Sequence, residues 1–392
     1  MNKIGIDQMH FYTSDYYLNL EDYAKHKGED PDKFYKGIGQ ELMAIIPPDE
    51  DIVTLAANAA LPLFENTKKD EITTLLFATE SSIDQSKSAG IYVQDLLGLS
   101  RHCRNVELKQ ACYSGTAALQ MAIGLIKQNS KEKVLIICSD ISRYDLDTPG
   151  ESTQGCGAIA MIISENPKLV EIESGSGIYA EDVMDFWRPN YRNSALVDGK
   201  LSAKIYIRAL KHAWKHFQST SKKLIDDINY FCYHLPFSKM AEKAHRQLLR
   251  FNCKVLDKET IEHDIGLSQI YNRIIGNSYT ASLYISLASL LDNAKEDLSF
   301  KRIGFFSYGS GCVSEFFTGC VLASYKDSIK ASSHLHRLKN RIQLTYDEYL
   351  NFYNFQLPTD GSEMLISKRY TKGNFRLCGI RNHQRIYEVI NI

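Results

Sequence analysis

The sequence lacks any CxxC pair. Its nine cysteines are scattered and odd in number, which suits neither a zinc site nor a disulfide framework. No metal is therefore expected, and a reduced, cytoplasmic compartment is the default. No run approaches the roughly 18 uncharged apolar residues of a membrane span. The opening MNKIGIDQMHFYTSDYYL has no apolar stretch resembling a signal peptide. Charge of one sign is not in excess either, with 46 Lys and Arg against 47 Asp and Glu. That balance argues against a nucleic-acid surface, while leaving room for a local basic patch that binds a phosphorylated molecule. Pro/Gly/Ser-rich linkers and low-complexity tracts are missing. What is present is 392 residues with 44% hydrophobic content, enough to bury a large core without staples, as one large or two fused domains.

Short apolar runs alternate with longer helix-like segments. TTLLFATE (73–80), KVLIICSD (133–140) and AIAMIIS (158–164) read as buried strands. Residues 152–155, 168–174 and 302–311 read as strand edges and loops, and 114–128, 202–218, 239–251 and 278–291 as helices. The tyrosine-rich YDEYLNFYNF (346–355) reads as a helix packed on the fold. This alternation predicts an α/β architecture with a sheet covered on both faces. A weak internal echo accompanies it. SGTAALQMAIGLI leads into KVLIICSDISRY, and NSYTASLYISLASLL leads into RIGFFSYGSG. Each is a helix opening in small residues and followed by a strand and polar loop, as a duplicated fold would have.

Five pieces carry candidate chemistry. Cys112 follows a strand-like stretch, just before Ser114, Gly115, Thr116, Ala117 and Ala118 open a helix that is apolar nearly all round and so expected in the middle of the protein. A cysteine at such a helix start is expected to have a lowered thiol pKa, although most cysteines are inert small hydrophobes. His234 stands at a corner set by Pro236, able to donate a hydrogen bond or exchange protons, or to be a satisfied structural histidine. Glu80 ends a buried strand, where catalytic groups of α/β proteins gather. Partial desolvation would raise its pKa toward that of a general base; a solvated loop acid is the alternative. Asn277, after a Gly276 that permits close approach, could donate to a substrate carbonyl or simply cap a helix. FSYGSG (306–311) offers backbone N–H groups to an oxyanion.

Read in order, these pieces resemble the 3-hydroxy-3-methylglutaryl-CoA (HMG-CoA) synthase family of the thiolase superfamily. The resemblance runs from IGID near the start to SYGSG and the following EFF. It takes in ANAA (57–60), ATESSIDQSK (78–87), ACYSGTAALQ (111–120), EDVMDFWRP (181–189), LVDGKLS (196–202), YHLPFSKM (233–240) and GNSYTASLY (276–284).

The resemblance implies a five-layered αβαβα thiolase fold of two pseudo-duplicated halves, residues 1–166 with Glu80 and Cys112 and residues 167–392 with His234, Asn277 and the SYGSG loop. It also implies a homodimer. Cys112 matches the nucleophile, Glu80 the acid/base and His234 the histidine that orients an acetoacetyl group. Asn277 and Ser310 match positions near that group, and Tyr113, Asp84, Asp140, Asp185 and Tyr308 match secondary positions. Lys239 and Lys243, one turn apart, could face the nucleotide end of coenzyme A or form a solvated helix face.

The implied reaction joins acetyl-CoA to acetoacetyl-CoA through an acetyl-Cys112 intermediate, with CoA thioesters as substrates and no tightly bound cofactor. Glu80 separates this chemistry from decarboxylating ketosynthases, because an acetyl donor has no CO₂ to lose and needs a base. Within the family, ELKQACYSGTA and GSGCVSEFF look like the branch that installs β-branches on polyketides from acyl carrier proteins. GESTQGCGAIAM, EDVMDFWRP, LVDGKLS and GNSYTASLYISLASLL look like the bacterial mevalonate enzymes, as does the compact length. Mevalonate chemistry is the favoured expectation and carrier-protein chemistry the alternative. A non-catalytic thiolase-fold scaffold ranks below both, because it would need none of Cys112, Glu80 and His234.

Overall fold

The computed structural model describes residues 2–390. Its spine is a mixed sheet of ten strands: β1 (Ile4–Tyr12), β2 (Thr74–Ala78), β3 (Arg104–Leu108), β4 (Val134–Ile141), β5 (Cys156–Glu165), β6 (Val170–Ile172), β7 (Gly177–Ala180), β8 (Tyr230–Tyr233), β9 (Arg302–Gly309) and β10 (Val313–Val321). They lie in the order β8-β9-β10-β6-β1-β5-β4-β2-β3, with β7 on β10. Among the helices that flank the sheet and the strand ends are α1 (Ile52–Ala60), α2 (Ser114–Gln128), α3 (Gly199–Ser221), α4 (Lys239–Phe251), α5 (Lys258–Ile275) and α6 (Ser282–Asn293).

The internal echo has a topological basis. β2 runs parallel to β4, which turns back antiparallel into β5. Equally, β8 runs parallel to β9, which turns back into β10. α2 precedes β4 and α6 precedes β9. Among the described residues, the strands of the two half-sheets meet in the short pairing of Gly5 with Glu171 and Ile6 with Val170. α2 and α6 meet between the halves, where Thr116 Oγ1 lies 2.9 Å from the Tyr284 hydroxyl. This central packing brings the two sets of strand ends together, and with them the sequence motifs of both halves.

Two expectations are corrected. α2 is not buried all round: Met121 is 51% exposed, because a 3.6-residue period turns every third or fourth position away from the sheet. It is α6 that is buried along nearly its whole length, from Ser282 to Leu291. Residues 302–311, read as edge and loop, contain the fully paired β9, whose glycines and tyrosine disguise it. β1, with polar Asp7, Gln8 and His10 buried in it and a register shift between Ile6 and Gln8, shows no clean alternation to read. The tyrosine-rich segment is a helix (Tyr346–Asn354) docked through the Tyr349 hydroxyl, which donates to buried Glu151 at 3.1 Å. Among the described residues, no helix is long and apolar enough to cross a membrane.

Candidate active site

β2 ends at Ala78, and Glu80 follows two residues later in a tight loop. After β3 the chain turns sharply into α2, with Cys112 on the turn. The Cys112 thiol donates to Glu80 Oε1 at 2.9 Å. Ala111 makes the turn at φ +42°, and Ser114 Oγ locks it by accepting from Gln110 N–H at 2.6 Å and donating to the Ala111 carbonyl at 2.9 Å. Ser82 and Tyr279, which lie beside this pair in the chain or in space, also occupy the left-handed region, at φ +47° and +46°. Each such non-glycine residue costs about 1–2 kcal/mol, a strain that persists only where the surroundings dictate it.

The expectation of a lowered thiol pKa is overturned. Burial pushes the Cys112 thiol well above its ordinary value, and the charge and hydrogen bond of Glu80 push it further. A helix start offers a fraction of a charge, and here desolvation outweighs it. Glu80 behaves as expected. Burial, reinforced by the charge of Asp140, raises its carboxyl to about 8, against smaller opposing effects of the Cys112 hydrogen bond and Arg188. The Arg188 guanidinium also donates to the Glu80 and Ser81 carbonyls, holding the loop from outside.

Asp140, fully buried at the end of β4, anchors the Glu80 loop. Its Oδ1 accepts from Thr79 Oγ1 (2.8 Å), Glu80 N–H (2.9 Å), Ser81 N–H (2.9 Å) and Ser81 Oγ (2.7 Å). Its Oδ2 accepts from the N–H and hydroxyl of Thr280, in the other half. Asp140→Ala leaves these donors unpaired inside the protein. It is expected to cost about 3 kcal/mol or more of stability in denaturant melts, against little change for a surface control such as Asp360→Ala.

His234 follows β8 and is buried. Its N–H pairs with Phe306 O at 2.9 Å, its carbonyl accepts from the Tyr206 hydroxyl at 2.8 Å, and its Nδ1 lies 2.7 Å from Ser282 Oγ at the start of α6. Burial lowers its pKa to about 3, so it is neutral near pH 7. The Cys112 charge also contributes to the raised pKa of Tyr206, which puts the thiol in the neighbourhood of the residue that holds His234. The SYGSG loop closes the gap. A Cβ on Gly309 would fall 2.5 Å from Gln110 O and 2.7 Å from Tyr113 N, so this backbone packs directly on the Cys112 turn. Gln110 Nε2 donates to Ser310 O at 3.3 Å.

The other candidate positions divide. Gly276, at φ +85°, comes so close to the Gln154 carbonyl that a Cβ would lie 2.0 Å from it. Asn277 is buried beside it, its Oδ1 accepting from Tyr279 N–H at 2.9 Å. Asp185 is a buried hub, accepting from the Tyr308 hydroxyl (2.6 Å), Ser202 Oγ (3.0 Å) and Gly311 N–H (2.9 Å). Tyr113 turns its hydroxyl to buried Glu315 at 2.7 Å. Asp84 is exposed and caps its own loop, accepting from Ser86 and Lys87 N–H groups, which holds its carboxyl below the usual range. Lys239 pairs with Glu242 at 3.1 Å and lines a groove of about 690 Å³ with Lys36, Arg246, Lys258 and Arg273. Lys243 lies over the Phe237 ring, 5.1 Å from its centre.

Several residues of the site escape sequence reading. Tyr144 and Tyr279 are buried near the thiol and carboxylate, whose charges help raise both phenols. Phe186 stands edge-on between them, with ring centres 6.1 and 5.8 Å away. Phe186 and Arg188 lie inside the motif EDVMDFWRP, and Tyr279 inside GNSYTASLY, so the motifs hold the signal. Glu315 lies inside GSGCVSEFF, where nothing local singles it out from its neighbours, and Tyr144 carries no local pattern of its own.

Comparison with known proteins identifies the family and the fold. The family model for the N-terminal part of hydroxymethylglutaryl-coenzyme A synthase matches residues 1–168, and that for the C-terminal part matches 170–267 and 253–359. The chain is 38% identical to the hydroxymethylglutaryl-CoA synthase of Enterococcus faecalis, over 98% of this chain and 99% of that one. It is 36% identical to the Bacillus subtilis polyketide biosynthesis 3-hydroxy-3-methylglutaryl-ACP synthase PksG, over 89% of this chain and 87% of that one. A crystal structure of an HMG-CoA synthase complexed with CoA superposes with a TM-score of 0.94 at 38% identity, covering 99% of this chain and all of that one. The HMG synthase of the curacin biosynthetic pathway gives 0.91 at 32% identity, covering 99% and 100%. Motifs, strand order and full-length similarity agree, and the chain belongs to the hydroxymethylglutaryl-CoA synthase family, acyl-transferring enzymes built on the thiolase fold.

Proposed function

We propose that this chain condenses acetyl-CoA with acetoacetyl-CoA to give 3-hydroxy-3-methylglutaryl-CoA, the mevalonate-type reaction of its family. The observation that carries the reading is the 2.9 Å contact between the Cys112 thiol and the Glu80 carboxylate. Cys112 takes the acetyl group as an enzyme thioester and releases CoA. Glu80, having passed the thiol proton to the departing CoA sulfur, then faces the acetyl methyl and removes a proton from it. The carbanion adds to the ketone carbon of the acceptor, and Glu80 returns its proton to the new alkoxide. Water finally cleaves the Cys112 thioester.

Ser282 accepts from Leu235 N–H at 3.2 Å; giving its own proton to His234 Nδ1 leaves Nε2–H to orient the acetoacetyl group. Backbone N–H groups near Cys112 and in the SYGSG loop offer oxyanion stabilisation worth about 3–4 kcal/mol per well-placed donor. Asn277 and Ser310 flank the acceptor, and Asp140, Asp185 and Tyr308 hold the loops that carry these groups. The groove at Lys239 sets five basic side chains against Glu41, Glu242 and Glu262, and that excess of positive charge, with Lys243 a turn on, suits the phosphates of a nucleotide. The halves divide near residue 166. A homodimer is supported by apolar exposure at the sheet's end, where edge-strand Val106 is 43% exposed and Met121 51%.

The higher identity and coverage against the E. faecalis enzyme favour CoA-linked substrates over carrier proteins. The test is a comparison of acetoacetyl-CoA with acetoacetyl carrier protein as acceptor. A kcat/KM higher with the CoA thioester is expected, and a preference of about tenfold or more for the carrier protein would move the chain to polyketide β-branching. No acetyl adduct from any donor would leave only the scaffold.

A further inference from the structure

Two buried polar side chains, Tyr233 and His245, and the partly exposed Asp264 form a line that the proposed reaction does not use. His245 lies in the middle of α4 with no exposure. Its Nε2 is 2.9 Å from Asp264 Oδ2 on α5, and its Nδ1 is 3.0 Å from the Tyr233 hydroxyl at the end of β8. A carboxylate only accepts, so Nε2 carries the proton, and Nδ1 is left to accept from the phenol. Every group along the line thus has a partner. The other Asp264 oxygen meets His263 Nδ1 at 2.9 Å, on the surface.

The surroundings are apolar. The Phe231 ring centre is 4.7 Å from that of His245, and the Phe306 ring centre 6.4 Å from that of Tyr233. Met240, Ala241 and Leu248 fill the same core. A leucine at 245 would fit this apolar space but would strip the buried Tyr233 hydroxyl of its partner, so the polar line is of use only when it is kept whole. What it supplies is direction. Neighbouring residues of a strand point to opposite faces: Tyr233 reaches outward to α4 and α5, and His234 inward to Ser282 on α6. The line therefore grips the strand from behind, one residue before His234, and fixes α4 to the same point.

We propose that Asp264, His245 and Tyr233 form a positioning relay that sets His234 for the acyl acceptor. It rests on the reading of His234 as the group that orients the acetoacetyl thioester. Tyr233→Phe removes one hydroxyl and keeps the ring; His245→Leu removes the middle of the line. Tyr233→Phe is expected to lower kcat/KM for acetoacetyl-CoA about tenfold, mostly through KM, as loss of one buried hydrogen bond does, and His245→Leu, which removes two, at least as much. Acetylation of Cys112, followed by intact mass, stays within about twofold of the native protein. Asp264→Asn keeps an acceptor for Nε2–H and recovers most of the loss, whereas Asp264→Leu behaves like His245→Leu.

His234→Ala serves as the reference. If it condenses normally, the role of His234 is wrong and the relay falls with it. If His234→Ala fails while the relay variants keep the native KM, the relay alone is overturned. Equal loss of acetylation and condensation in step with a lower Tm overturns it too, because that is the signature of a purely structural contact.

Discussion

Cys112→Ser is expected to lose the acetyl adduct and to lower turnover by about four orders of magnitude or more, the scale seen when a nucleophile is removed from an intact site. Serine keeps the size and the hydrogen bond to Glu80, so the Tm should hardly move. The loss is chemical. Burial already pushes the thiol well above its ordinary value, and an alcohol in the same place is far less acidic still, beyond the reach of a carboxylate with a pKa of about 8. Intact-protein mass after acetyl-CoA addition reads the adduct, and free CoA release reads turnover. Cys138, Cys156 and Cys232 are buried and cannot substitute, but Cys253 is exposed. Cys253→Ser is therefore the control for adventitious acylation. An adduct that survives in Cys112→Ser and also in the double variant, and that peptide mapping does not place on the part-exposed Cys320 or Cys378, would remove Cys112 from the reaction.

How much of the fold and site is legible in the sequence depends on what each signal is made of. β2, β4 and β5 are short, apolar and covered on both faces, so composition alone gives them away. α2 and α4 match the sequence expectation to the residue, at 114–128 and 239–251, because small residues open the first and a proline corner precedes the second. β9 is lost to its glycines and tyrosine, and β1 to its buried polar residues. At the site, the thiol and carboxylate are visible only through their motifs, since neither Glu80 nor Cys112 differs locally from an ordinary loop acid or small hydrophobe. The thiol's acidity is misjudged because a helix start can be read from sequence and desolvation cannot. Asp140 is visible as a position but not as the anchor of six donors. The relay is invisible, because a histidine in the middle of an amphipathic helix has no pattern; only the approach of three separate elements gives His245 its partners.

Glu80→Ala separates the two halves of the reaction. It removes the group that accepts the thiol proton, but it also removes the negative charge that opposes the thiolate. These effects act in opposite directions on Cys112, so acetylation is expected to persist. Condensation has no such compensation. The acetyl methyl proton needs a base within reach, and loss of a general base costs about 10²–10⁴-fold; here no carboxylate-losing donor can bypass it. The native pH profile carries the same information. Burial and Asp140 hold Glu80 as the acid up to about 8, so the ionised form grows as pH rises, and condensation should climb about tenfold per unit below that value and level above it. The limb should vanish from what activity Glu80→Ala retains. Stability moves the opposite way. A carboxyl whose native pKa lies above its unfolded value resists ionisation in the fold, so its contribution falls between about 4.5 and 8. Glu80→Ala should accordingly show a higher Tm than the native chain at pH 9, with the difference shrinking at pH 5. An acetylated Glu80→Ala that condenses at the native rate, with the native pH limb, would mean that another base strips the methyl group.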